Sequence, residues 1–126
     1  MGQTSESSSE DLKGRTKQFA LNIIKAVEGL PPSQTCAVIG KQLLRAGTSV
    51  GANYRAACRS RSRADFVSKI TVVEEETDEC SYWLELLHEL HLIGDLPFET
   101  LTKEANELTA IFVTSSKTAK ANAHRT

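Results

Sequence analysis

The amino-acid sequence predicts an all-α protein, an antiparallel up-and-down four-helix bundle that assembles into a ring. Apolar residues recur at spacings of three and four in four segments, which is the period of a helix with one buried face. No segment alternates apolar and polar residues over the length of a strand. The breaks between the segments are short, and short connections place neighbouring helices antiparallel. A chain of 126 residues can hold one such core without disulfides or metal.

The first predicted helix occupies residues 10–28 and follows a polar tail. Ser9 is a suitable N-cap, and the two acidic residues after it complement the helix dipole. Gly29 and the two prolines that follow shortly after it form a stop signal. Residues 1–9 are polar and Ser-rich, and we predict that they form a disordered tail.

The second predicted helix begins near Ser33 or Thr35, ends near Arg59 and carries two glycines on one face. Gly47 and Gly51 are four residues apart, and a glycine inside a helix costs about 1 kcal/mol relative to Ala. Two missing side chains on one face allow another backbone to approach closely, so we predict a tight helix–helix contact. The alternative is a helix that breaks at Gly47, which no Pro or polar turn cluster supports. The residues assigned to the contact are Gly47, Gly51 and Asn53.

The third predicted helix runs from Arg63 to Ile93, where Gly94 ends it. Ser62 is its N-cap, and Asp65 completes the capping-box pattern. A heptad-like apolar seam faces the core, and a second apolar face begins at Trp83. A helix that is apolar on two sides needs two neighbours or a partner chain, so we predict a homo-oligomer. The predicted interface residues are Trp83, Leu86, Leu90 and Ile93.

The fourth predicted helix starts at Asp95, with Pro97 in its first turn. Its apolar stripe fades after Phe112, so residues 117–126 are predicted to form a C-terminal tail. The predicted bundle domain therefore covers residues 10–116.

The sequence contains none of the familiar catalytic or nucleotide-binding motifs: no P-loop, dinucleotide fingerprint, CxxC, HExxH or GxSxG. Glu85 and His88 are one helical turn apart, but a di-iron bundle needs that pair on two helices and two further Glu. His88 and His91 are also three apart, and we favour surface or interface histidines over a metal site. We predict no metal, no cofactor and no enzymatic activity. An enzyme based on Glu85 and His88 ranks third, after a binding protein and a scaffold.

The cysteines and the N-terminal segment bear on the compartment. Cys36, Cys58 and Cys80 are odd in number and lack metal-finger spacing, which indicates free thiols in a reducing compartment. Residues 1–9 lack the basic and apolar parts of a secretory signal, and no stretch approaches 18 apolar residues. We expect a cytoplasmic protein that does not contact a membrane.

Charged residues are segregated along the chain, although the formal net charge is only −1. Residues 41–69 contain seven Lys or Arg and one acid, whereas residues 70–108 contain eleven acids and one Lys. These blocks predict a basic end, suited to a polyanion, and an acidic flank. Alternatively, the basic end contacts the acidic flank of the next subunit in a head-to-tail ring, and the two roles can coexist. A solvated surface without a partner is the third alternative.

The densest part of the basic block lies at the end of the second helix and in the loop after it. Arg55 and Arg59 share a helical face, while Arg61 and Arg63 flank a helix N-terminus that favours anions. Few acids lie near these arginines in the sequence. The predicted nucleic-acid-binding residues are Arg45, Arg55, Arg59, Arg61, Arg63 and Lys69.

The run QLLRAGTSVGANYR, residues 42–55, resembles the signature of the four-helix-bundle family named for proteins encoded in intervening sequences of bacterial 23S rRNA genes. The resemblance continues through residues 62–66 and 82–87, and it covers about residues 19–112. The Arg-Ala-x-x-Ser-Val-x-x-Asn string is specific, because its small residues and Asn have no generic reason to occur together. One departure is Ala56, where family members usually carry Glu.

The family is similar to the accessory variability determinant of diversity-generating retroelements, a pentameric basic bundle that binds nucleic acid and a reverse transcriptase. The resemblance implies a closed homo-oligomer, expected to be a pentamer, with RNA or a reverse transcriptase as partner and no enzymatic activity. The acidic run at residues 74–76 departs from what a nucleic-acid-binding member would carry. A pure protein-interaction scaffold without nucleic acid is therefore the alternative function.

Overall fold

Four α-helices account for nearly all of the described chain. The computed structural model describes residues 5–124, which form α1 (Ser5–Glu28), α2 (Gln34–Cys58), α3 (Arg63–Glu89) and α4 (Asp95–His124). Helix α2 packs against α1 and α3, α3 packs against α4, and α1 makes its smaller contact with α4. Residues 5–124 contain no strand. The prediction of an all-α protein with four helices is confirmed.

Both terminal helices extend into segments that the sequence analysis placed in tails. Helix α1 includes residues 5–9, and residues 1–4 of the predicted tail lie outside the described part of the chain. Helix α4 continues to His124, past the predicted domain limit at residue 116. The C-terminal segment is rich in Ala and Lys, which are strong helix formers even without an apolar stripe.

Two serine caps fix the starts of α2 and α3. The backbone of Ser33 is extended, and its hydroxyl accepts a hydrogen bond of 3.0 Å from the Cys36 N–H. Ser62 does the same for the N–H of Asp65, also at 3.0 Å. Both side chains satisfy a helix N–H that has no partner within the helix. The predicted cap of α3 is confirmed, and α2 begins at Gln34, within the range predicted from Ser33 to Thr35.

Helix α3 ends at Glu89, so the predicted end at Ile93 and the stop at Gly94 are wrong. The Leu92 N–H donates to the Leu87 carbonyl at 2.8 Å, and the His91 N–H donates to the His88 carbonyl at 3.0 Å. His91 has φ 58°, the left-handed conformation of a Schellman motif. The reversal returns Leu92 to the core, which explains why the helix stops before the glycine.

The glycines of α2 lie against α1. A Cβ at Gly47 would lie 2.8 Å from Cγ2 of Ile23, and a Cβ at Gly51 would lie 3.2 Å from Oγ1 of Thr16. Helix α2 is continuous through both positions, which excludes a break at Gly47. Asn53, grouped with them in the sequence analysis, donates from Nδ2 to the Ser49 carbonyl at 2.9 Å, within α2 itself.

The core is a single cluster of apolar side chains from all four helices. Its largest fully buried members include Phe19 of α1, Leu43 of α2, Leu84 of α3 and Phe112 of α4. Within residues 5–124, no helix is both long enough and apolar enough to cross a membrane.

Candidate nucleic-acid interface

One end of the bundle, which we call the basic end, carries an open cavity of about 750 Å³. Its walls come from the first turns of α1, the last turns of α2 and α4, and the loop between α2 and α3 with the start of α3. Arg61 and Arg63 belong to its lining. The structure therefore brings the predicted arginine-rich loop together with segments that are distant in the sequence.

Three arginines of the basic end are exposed to solvent without an internal partner. Arg55, Arg59 and Arg61 are exposed, and among the described residues none of them forms an ion pair or a side-chain hydrogen bond. Arg55 also lines a smaller groove of about 370 Å³ between α1 and α2, where Lys17 adds a second positive charge. These guanidinium groups are available to an external anion.

Arg63 is held differently from its neighbours. Its Nη1 donates a hydrogen bond of 2.7 Å to the carbonyl oxygen of Asn122, near the end of α4. The carbonyls of the last helical turn have no partner within the helix, so a guanidinium there satisfies one of them. The contact ties the start of α3 to the end of α4 across the mouth of the cavity.

Two of the predicted nucleic-acid-binding residues form ion pairs with acids of the same chain. Arg45 forms ion pairs with Glu76, at 3.0 Å, and with Glu79. The hydrogen bond that Arg45 donates to Glu76 is the main cause of its raised pKa. Lys69 contacts both carboxylate oxygens of Asp65 at 2.6 Å and lowers the pKa of that acid. Two of the six predicted residues are thus already paired: Arg45 lies on the α2–α3 flank beside two acids, and Lys69 is paired with Asp65.

The floor of the cavity contains residues that the sequence analysis did not assign to a site. Tyr54 is buried, its ring lies 5.7 Å from that of Phe112, and burial raises the pKa of its hydroxyl to about 12. Phe66 is half-buried, and Ser60 lies at the wall. Aromatic residues beside the arginine-rich loop were the signal in the sequence, but their convergence depends on packing between α2, α3 and α4.

Part of the predicted oligomer interface packs against the core of its own chain. Trp83, Leu86 and Ile93 are half-buried against the core, and only Leu90, at 54% exposure, is largely open to solvent. Because α3 ends at Glu89, Leu90 is its C-cap and Ile93 lies in the following loop. The expectation that all four share one helical face is wrong.

Other apolar side chains are exposed in this part of the molecule. Tyr82 and Leu96 are 54% and 73% exposed, and the Tyr82 ring packs edge-on against Trp83 at 5.0 Å. The indole Nε1 of Trp83 donates to Glu79 at 3.0 Å. The largest exposed apolar groups here therefore differ from the set that the sequence analysis chose.

The surroundings of His88 and of the cysteines indicate structural roles for these side chains. His88 lies 2.9 Å from Asp95 and stacks on Phe98 with ring centroids 3.9 Å apart. The described residues contain no group of three His, Cys, Asp or Glu placed to hold a metal ion. The three cysteines are free thiols, and burial raises the pKa of Cys80 to about 12, which makes it a poor nucleophile.

Comparison with known proteins connects this fold to a family. The profile of the 23S rRNA-intervening sequence protein family matches residues 11–114. A similar solved structure is a protein of unknown function from the S23 ribosomal protein family of Bacteroides thetaiotaomicron VPI-5482, with 34% sequence identity and a TM-score of 0.80. The similarity covers 86% of this chain and 97% of that one, while no curated protein matches. The chain therefore belongs to the family of 23S rRNA-intervening sequence proteins.

Proposed function

We propose that this protein is a non-enzymatic homo-oligomer that binds RNA through its basic end. The observation that carries the proposal is the set of exposed arginines, Arg55, Arg59 and Arg61, that lack a counter-charge among the described residues. Guanidinium groups bind phosphates bidentately, and each neutralised phosphate releases counterions. The family name, taken from an intervening sequence of 23S rRNA, agrees with an RNA ligand.

The acidic flank restricts how RNA can approach. Five acids of α3 are exposed or half-buried without an ion pair among the described residues: Glu74, Glu75, Asp78, Glu85 and Glu89. RNA that contacts the basic end is repelled from this flank, so we expect binding at the end of the bundle and not along its side.

The proposed assembly is a ring of antiparallel bundles, with five subunits as the expected number. Contacts support the antiparallel order, because Thr16 lies beside Gly51 while Ile23, later in α1, lies beside Gly47, earlier in α2. Leu90 and Leu96 offer exposed apolar surface near the α3–α4 loop for a neighbouring subunit. In a ring, the basic ends of several subunits converge, and their fields add.

The second candidate function is a protein-interaction scaffold that binds no nucleic acid. The acidic flank of α3 favours this function, because its exposed acids can form ion pairs with the arginines of a neighbouring subunit. The same arginines could otherwise bind RNA. In the scaffold, the basic end is covered on assembly.

Light scattering on the wild-type protein, with and without a short single-stranded RNA, tests both parts of the proposal. We expect a multiple of the 13.8 kDa chain mass, and a further increase with RNA at about 50 mM salt that is lost at high salt. A 13.8 kDa species at micromolar concentration contradicts the oligomer. If the protein is an oligomer but retains no RNA at low salt, RNA binding is contradicted and the scaffold function remains.

A further inference from the structure

The open cavity at the basic end has the volume of a small-ligand site. Its volume of about 750 Å³ lies within the range of about 300–1,000 Å³ found for small-molecule pockets. All four helices contribute to its walls. The exposed arginines account for attraction of a polyanion, but they do not account for a cavity of this size beside them.

Beside its Ser, Thr and Arg side chains, the cavity has an apolar and aromatic part of its lining. Leu12, Ala57 and the half-buried ring of Phe66 line it, with Tyr54 buried beneath. A flat aromatic surface next to positive charge is how single-stranded nucleic acids are bound, since every base has a π-face that stacks on it.

The rim provides two guanidinium groups, one of them fixed in place. Arg63 is held by its hydrogen bond to the Asn122 carbonyl at 2.7 Å, which uses one of its donors and leaves the others. Arg61 is exposed and has no partner among the described residues. Two guanidinium groups at one mouth match the several oxygens of a phosphate.

The wall contains a hydroxyl that lacks a hydrogen bond. Ser60 Oγ is buried and has no hydrogen-bond partner of ordinary geometry, although it lies near enough to the Asp65 carboxylate to lower the pKa of that acid. Lys69 already neutralises Asp65, so this carboxylate does not oppose an anion in the cavity. The unpartnered Ser60 hydroxyl is therefore a donor for a ligand oxygen.

We propose that the cavity binds one unstacked nucleotide, with its phosphate on Arg61 and Arg63 and its base against Phe66. The inference rests on the proposed function in taking single-stranded RNA as the source of that nucleotide. A free nucleoside monophosphate has the same chemistry and is the other source. Double-stranded RNA does not fit, because its bases are stacked and paired.

Saturation-transfer NMR with adenosine monophosphate tests the cavity without RNA and suits a large oligomer. We expect transfer to the base protons, and weaker transfer to ribose 5-phosphate and to adenosine, which each lack half of the recognised unit. Thr118 is exposed and lines the cavity, so Thr118→Trp places a large ring in it, and we expect the transfer to fall several-fold. Thr100→Trp is the matched control, since Thr100 is exposed on the same helix and does not line the cavity.

A second variant keeps the test independent of Thr118→Trp. Phe66→Leu retains an apolar side chain but removes the aromatic face, so we expect it to reduce transfer to the base and to leave ribose 5-phosphate unchanged. Light scattering and circular dichroism show whether each variant keeps the wild-type assembly. Equal transfer in wild-type protein and both variants, or no transfer to adenosine monophosphate at millimolar concentration, overturns the proposal.

Competition separates the two sources of the nucleotide. A short single-stranded RNA should displace adenosine monophosphate, and a duplex of the same length should not. If RNA binds without displacing the nucleotide and is insensitive to Thr118→Trp, the cavity assignment is wrong while the proposed function stands. If adenosine monophosphate binds and RNA does not, the RNA source and the proposed function both fail.

Discussion

The flank around Arg45 and the basic end around Arg61 belong to the same basic block of the sequence, but their surroundings differ. Arg45 packs opposite α3 and forms ion pairs with Glu76 and Glu79. Arg61 lies in the loop beside an open cavity and has no ion pair among the described residues. A run of basic residues therefore does not define a binding surface by itself. The acids on the neighbouring helix decide which charges remain available.

The same contrast extends to packing. Along the middle of the bundle, α1 and α2 approach so closely that a side chain at Gly47 would collide with Ile23. At the basic end, segments of all four helices line an open cavity of about 750 Å³. The middle of the bundle therefore has little space for an added side chain, whereas the basic end has space for a ligand.

The largest expected effect concerns the closely packed middle. Gly47→Leu should destabilise the fold or the assembly by about 1–3 kcal/mol, because the new side chain overpacks the contact with Ile23. Gly14→Leu is the matched control: a Cβ there meets nothing within 4 Å, so this change should stabilise α1 slightly. Thermal unfolding followed by circular dichroism measures both. A higher melting temperature for Gly47→Leu would contradict the close contact.

The second prediction concerns the dry core at alkaline pH. Burial raises the pKa of Cys80 from its ordinary value of 9.0 to about 12, so the unfolded chain loses this proton at a lower pH than the folded chain. Stability should therefore fall as pH rises from about 9 towards 12, with Tyr54 adding to the loss above about 10. Cys80→Ala should lower stability at neutral pH through lost packing, yet decline less steeply with pH. Parallel declines in the two proteins would show that Cys80 is not the cause.

The third and smallest effect compares the two arginines directly. Arg45→Met should lower the melting temperature at low salt, because it leaves Glu76 and Glu79 without their partner. Arg61→Met should leave it unchanged, since no ion pair within the described residues is lost. At about 1 M salt the Debye length is only about 3 Å, so the ion pairs are screened and the melting temperatures of the two variants should converge. If Arg61→Met lowered the melting temperature more than Arg45→Met, the arginine that stabilises the fold would be the one at the basic end, which contradicts this prediction.

Local signals in the sequence were sufficient to locate the four helices and the Ser62 cap of α3, whereas the predicted cap Ser9 lies inside α1. Ser33 and Ser62 bond to an N–H three residues ahead, so each cap can be read within one turn. The end of α3 could not be read in this way. His91 adopts a left-handed conformation because Leu92 returns to the core, and this depends on tertiary packing.

The candidate site depended on contacts between distant segments. Arg45 and Glu76 are 31 positions apart, so the sequence alone did not show that this arginine is neutralised. The cavity joins residues from Ser9 to Asn122, and the sequence predicted only its arginine-rich loop. Charge type was readable from the sequence, whereas charge pairing and cavity shape were not.

The salt dependence of RNA affinity in two double variants tests whether RNA binds at the basic end. Arg59→Ala with Arg61→Ala removes two unpaired charges at the basic end, and Lys41→Ala with Lys103→Ala removes two exposed charges elsewhere. We expect the arginine pair to flatten the slope of log affinity against log salt by about one to two units, and the lysine pair to leave it near wild type. Equal slopes in the two double variants would show that RNA does not bind at the basic end.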